Sequence, residues 1–183
     1  MRKYLRIAAA LAALAVLGAP AGLVAEKASG QTADLIEAWK DVSGKLLAMA
    51  EDFPEEKYDY RPTPEVRTFA EQLLHVAGST YFFASLAKGE KPGEEDLSRK
   101  KYKTKADIVA AFKKAIADGE ALMRATADAG LERPVKLPWA EEPVTERSLW
   151  MLTVEHAGEH YGNLVVYYRL NGMVPPASRQ SGN

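Results

Sequence analysis

The chain has 183 residues, no cysteine, and 24 Lys+Arg against 25 Asp+Glu. That length suits one domain with a core large enough to need no covalent staple. The absence of thiols excludes disulfides, thiolate metal sites and a cysteine nucleophile, and a formal charge of −1 supplies no basic excess for binding nucleic acid.

The first 25 residues read as a secretory signal peptide with an open cleavage site. Arg2, Lys3 and Arg6 precede an apolar run from Ile7 to Leu17, and the small residues of Ala19-Pro20-Ala21 and Ala25 follow. The run is too short to span a bilayer comfortably, and Pro20 and Gly22 close it. No stable membrane anchor is therefore expected after cleavage. Removing three basic residues and no acidic ones leaves 21 basic against 25 acidic, a formal charge of −4. Export to the periplasm or the medium is the expectation.

Four helical segments follow. In 31–52, Leu35, Trp39, Val42, Leu46, Met49 and Phe53 recur at alternating spacings of four and three, the period of one buried helix face. A second helix is predicted over 64–88, with Phe69, Leu73, Val76, Thr80, Phe83 and Ala87 as its stripe. A third opens at Thr104, with Asp107 completing a capping-box-like start, and carries Ile108, Phe112, Ala115, Gly119 and Leu122 before ending ahead of Gly130. The fourth covers 145–171, with the stripe Trp150, Val154, Ala157, Tyr161, Leu164 and Tyr168. It stops at Gly172 with Pro175-Pro176 beyond. Residues 89–103 are long enough to cross the whole bundle and leave the second and third helices parallel. The reading is an all-α four-helix bundle over 31–177 with that crossover, followed by a flexible tail at 178–183.

The histidines fall on helices. His156 and His160 are four residues apart, so one helix face presents both, and His75 lies on the second helix. On each helix the histidine face sits about 120° round from the centre of the apolar stripe, at a flank of the core. Thr68, Gln72, Ser79 and Phe82 share the His75 face; Leu149, Leu152, Asn163 and Tyr167 share the His156 face. A flank that is polar in its middle suits a half-buried cleft. Three neutral imidazoles suit zinc or nickel and leave coordination positions for water or substrate. His156 to His160 also spells H-x-x-E-H, the string of the inverted zinc peptidases, but residues 161–183 hold no carboxylate for the downstream ligand. Glu159 remains a candidate to orient a ligand or act as base.

Arg61-Pro62-Thr63-Pro64 with Thr68-Phe69-Ala70-Glu71-Gln72-Leu73-Leu74-His75 forms one signature. His156, His160, then Tyr168-Arg169-Leu170-Asn171-Gly172 and Pro175-Pro176 form a second. In order and spacing the two resemble the DinB-like, DNA-damage-inducible superfamily, from about Leu35 to Ala177. The resemblance implies an up-down-down-up bundle and a divalent metal, commonly nickel or zinc, held by three histidines that fall here on His75, His156 and His160. Some members are thiol-dependent transferases or isomerases; an open metal position suits activation of water or of a thiolate, so the expectation is a metal-dependent hydrolase or a thiol-dependent transferase acting on a small molecule. The low-molecular-weight thiols of such transferases are cytoplasmic, which points away from them for an exported chain. Tyr161-Gly162-Asn163 stands where many relatives carry an Arg-Gly-Gln-like run; Asn163 and Arg169 are the candidate substrate contacts, Arg169 toward a carboxylate. The alternative is a non-catalytic metal- or ligand-binding bundle of the cell envelope. No nucleic-acid partner is expected, and a homodimer is left open.

Overall fold

The computed structural model describes residues 30–93 and 96–179, so the expected signal segment lies outside the described residues. Four helices carry the fold: α1 (Gln31–Asp52), α2 (Phe69–Ala87), α3 (Lys105–Gly130) and α4 (Glu146–Leu170). Two two-residue strands, β1 (Pro134–Val135) and β2 (Val144–Thr145), pair antiparallel in the α3–α4 connection. None of the described helices is long and apolar enough to cross a membrane.

Contacts at the helix ends set the directions. The Lys105 ammonium at the start of α3 donates to the Phe53 carbonyl just after α1, 2.8 Å away. At the other end the Thr32 amide donates to the Asp128 carboxylate, also at 2.8 Å, so α1 and α3 are antiparallel. Tyr168 near the end of α4 donates to the Met49 carbonyl near the end of α1, which makes those two parallel. Gln72 meets Tyr167 while Ser79 meets His156, so α2 and α4 are antiparallel. Thr80 faces Gly119 and Tyr81 donates to Asp118, which puts α2 beside α3. The order is up-down-down-up around a ring α1–α3–α2–α4. The crossover after α2 is pinned where the Arg99 guanidinium forks onto the Asp59 carboxylate at 2.8 and 3.0 Å.

The core follows the apolar stripes in the main, with Ile36 and Met123 buried where the stripes place Leu35 and Leu122, and with two larger differences. The regular part of α2 begins at Phe69 rather than at Pro64. The Thr68 hydroxyl accepts from the Glu71 amide, and the Glu71 carboxylate accepts from the Thr68 amide. This reciprocal pair satisfies two free amides and fixes the first turn there. The Phe69 and Ala70 amides donate back to the carbonyls of Tyr60 and Tyr58, so residues 64–68 form a turn instead of a first helical turn. The second difference is in α4. Leu149, Thr153, His160 and Tyr167 are buried beside the expected stripe, whereas Val154 and Tyr161 are half-buried. Because α4 packs against both α1 and α2, its buried arc extends toward the histidine row.

The α3–α4 hairpin is tied to the bundle by Glu146, which is buried at the start of α4. Its carboxylate accepts from Arg133 Nε at 2.8 Å, Thr126 Oγ1 at 2.6 Å and Trp150 Nε1 at 3.2 Å. The Arg133 guanidinium also reaches the Ala87 carbonyl at the end of α2. A buried carboxylate with this many donors carries no unpaired charge. The clamp fixes the loop that carries Trp139.

Candidate metal centre

Antiparallel packing of α2 and α4 brings the three histidines together. Their nearest ligand atoms all lie within 4.8 Å of one another, and the ring centroids are 4.6, 4.7 and 5.1 Å apart. His75 and His156 are half-buried and line an open groove of about 940 Å³. His160 sits behind them, only 6% exposed. Each comes from mid-helix, on backbone already fixed by helical hydrogen bonds.

His160 is oriented by a chain of hydrogen bonds. Its Nδ1 lies against the Gln72 side-chain carbonyl, which can only accept, so Nδ1 carries the proton and Nε2 keeps its lone pair. The Gln72 amide donates to the Tyr167 hydroxyl at 3.2 Å, and that hydroxyl donates to the Arg67 carbonyl at 2.6 Å. Every donor and acceptor along the chain is used consistently. A carbonyl behind a ligating imidazole fixes both its tautomer and its ring direction. His156 Nε2 lies 3.0 Å from the Ser79 hydroxyl, and its Nδ1 lies 3.5 Å from the Glu159 carboxylate.

Burial pushes His75 and His160 down to about 4, reinforced on both by the positive field of Arg67 and by the neighbouring imidazoles. Both rings are therefore neutral at pH 7, the form in which imidazole donates to a cation. Three clustered nitrogen donors, two of them on the wall of an open groove, fit a divalent metal of the borderline class.

The remaining candidates lie outside this cluster. Glu159 is exposed beside His156; Asn163 and Arg169 are exposed on α4, and neither lines the groove. Spacing put Gln72, Ser79, Phe82 and Tyr167 on the histidine faces without showing how they connect. Spacing singles out neither Trp139, which sits in the α3–α4 loop, nor Arg67, which the sequence places inside the second helix and the structure places in the loop before it. The T-x-x-E string at Thr68–Glu71 was the available signal for Arg67, since a helix capped at Thr68 leaves residue 67 at its entrance.

The model of the DinB superfamily matches residues 38–164. The YjoA protein of Bacillus subtilis strain 168 is 28% identical over 125 residues, spanning 68% of this chain and 80% of that protein. Its crystal structure superposes with a TM-score of 0.63 at 23% identity, covering 77% of this chain and 94% of the other. A DinB-like protein from Bacillus cereus ATCC 10987 gives 0.66 at 14% identity, covering 78% and 93%. YfiT of Bacillus subtilis, described as a probable metal-dependent hydrolase with an unusual four-helix bundle topology, gives 0.61 at 20% identity, covering 81% and 92%. The histidine-bearing helices lie almost wholly within the matched residues, and the chain belongs to the DinB superfamily.

Proposed function

We propose that this chain is an exported metal-dependent hydrolase of small molecules, with zinc or nickel held by His75, His156 and His160. The observation that carries the reading is the cluster itself: three imidazoles with ligand atoms within 4.8 Å, on the wall of an open groove. The description of YfiT as a metal-dependent hydrolase supports the same chemistry in a related fold. The basic, apolar and small-residue succession of residues 1–25 supports export.

A divalent cation at three neutral imidazoles supplies Lewis acidity and lowers the pKa of bound water. The chain's own residues do the rest. Gln72 holds the His160 proton on Nδ1, and Tyr167 holds Gln72. The Ser79 hydroxyl stands beside His156 at the groove wall, within hydrogen-bond reach of a molecule lying there. Burial, reinforced by the field of Arg67, keeps protons off His75 and His160 at neutral pH.

Elemental analysis of the chain purified without a histidine tag tests the site, with a His156→Ala/His160→Ala variant beside it. Near-stoichiometric zinc or nickel that disappears in the variant is expected, followed by turnover of esters or amides by the loaded protein. Metal retained by the variant would overturn the ligand set. Metal bound without turnover of any ester or amide would overturn hydrolysis and leave a binding bundle.

A further inference from the structure

Six charged side chains line the groove beside the histidines: Arg61, Glu65, Arg67, Glu71, Asp96 and Arg99. Five are engaged locally. Arg61 pairs with Glu71, whose carboxylate also accepts from the Thr68 amide. Arg99 forks onto Asp59, Asp96 accepts from the Ser98 amide, and Glu65 takes a hydrogen bond from Thr63. The Arg67 guanidinium has no carboxylate partner and no side-chain hydrogen bond among the described residues.

Its backbone is nonetheless held firmly. The Arg67 carbonyl is the terminus of the chain that begins at His160, and the next residue caps α2. An exposed guanidinium on an anchored stretch of backbone thus stands at the entrance of the helix that carries His75, and its field reaches His75 and His160. The six groove charges sum to zero, but Arg67 is the one among them with neither an ion-pair nor a hydrogen-bond partner for its side chain among the described residues, and a dication on three neutral ligands would add positive charge beside it. Farther along the groove, Phe82 and Trp139 stack at 6.0 Å between ring centroids with planes 15° apart. Trp139 is 59% exposed, which leaves a flat apolar shelf open to solvent. From Arg67 at the entrance of α2 to Phe82 the chain rises roughly 20 Å along the helix axis, a span that the length of the arginine side chain shortens, so a ligand touching both is elongated.

We propose that the groove takes an organic anion, with a carboxylate or phosphate group on Arg67 and a planar apolar body on the Phe82–Trp139 shelf. The proposal rests on the hydrolase reading for its chemistry, but anion capture by Arg67 is separable from it. An arginine fork matches two oxygens of either oxyanion, and an isosteric amide offers no charge for it to bind.

Calorimetric titration of the full chain, metal-free and zinc-loaded, tests this with 4-(2-naphthyl)butanoate, 4-(2-naphthyl)butanamide and 3-(2-naphthyl)propylphosphonate. The anions should bind at least tenfold more tightly than the amide, and the tighter of the two identifies the oxyanion. Arg67→Gln should abolish that preference while leaving amide binding unchanged, and Arg67→Lys should restore part of it. Trp139→Ala should weaken all three probes alike. Equal binding of anion and amide, an unchanged preference in Arg67→Gln, or no binding of any probe would overturn the proposal. A preference that depends on Arg67 in a chain that binds no metal would sink the hydrolase reading alone. Metal binding with turnover but no dependence on Arg67 would sink this inference alone.

Discussion

The α1–α3 and α2–α4 seams are built from helices of similar length and do opposite work. Across the first, Trp39 lies over Gly119 and donates from its indole nitrogen to the Ile116 carbonyl at 3.2 Å. A Cβ at position 119 would come 3.5 Å from Trp39 Cζ2 and 2.9 Å from Thr80 Cγ2. This seam is closed by shape. The second carries Gln72, Ser79, His156, His160 and Tyr167 in its middle, joined by hydrogen bonds, with the His75 ring packed against both other imidazoles. Partnered polar groups contribute little net stability but hold side chains in fixed directions. Buried ring area is concentrated in the closed seam and at the end of the bundle where Phe53, Tyr58, Phe69 and Tyr168 pack together; directed donor atoms are concentrated in the polar seam.

Perturbing the two seams separately should separate stability from binding. The largest effect is expected for Phe112→Ala on α3, whose ring is fully buried; it should cost about 3–5 kcal/mol in urea unfolding. A loss below about 1 kcal/mol would mean that α3 does not depend on this ring for its packing. Next, Gln72→Leu should cut zinc affinity about 10–100-fold in a chelator competition by releasing His160 Nδ1, with the helical circular dichroism unchanged. Unchanged affinity would show that packing alone orients the ring.

Gly119→Ala should destabilise by about 1–3 kcal/mol through overpacking, although alanine is the better helix former by about 1 kcal/mol. A variant as stable as the parent would show that Thr80 gives way. A perturbation of a different kind is pH. The unfolded chain takes up protons on these histidines near 6.5, whereas folded His75 and His160 do so only near 4. The metal-free protein should therefore lose stability as pH falls from about 6.5 to about 4, and change little from this source above 6.5. Stability that rises on acidification through that window would contradict the burial of the two rings.

Much of the bundle was legible because its helices bury one face each. Every residue of the α2 stripe from Phe69 to Ala87 is buried, and α1 and the start of α3 fall where period and capping place them. Gly119 reads as a weakness inside α3 by helix propensity, but a Cβ there would press on Thr80 of α2 while Trp39 of α1 lies in contact on the other side. The start of α2 was read too early because an apolar period cannot reveal that the Tyr58 and Tyr60 carbonyls take the first amides of the helix. The three histidines could be found by elimination and spacing, since the chain has no others.

The sequence by itself determined the four helices, the faces they bury and the long crossover, because local hydrogen bonding and apolar periodicity act over a few residues. It also named the three imidazoles. Tertiary structure alone decided that these nitrogens converge, that Gln72 and Tyr167 set the proton of His160, and that Arg67 and Trp139 border the same groove. Those relations join residues as far apart as 88, 95 and 100 positions. They depend on the antiparallel register of α2 against α4 and on where two loops come to rest, and both are settled by packing across the whole bundle.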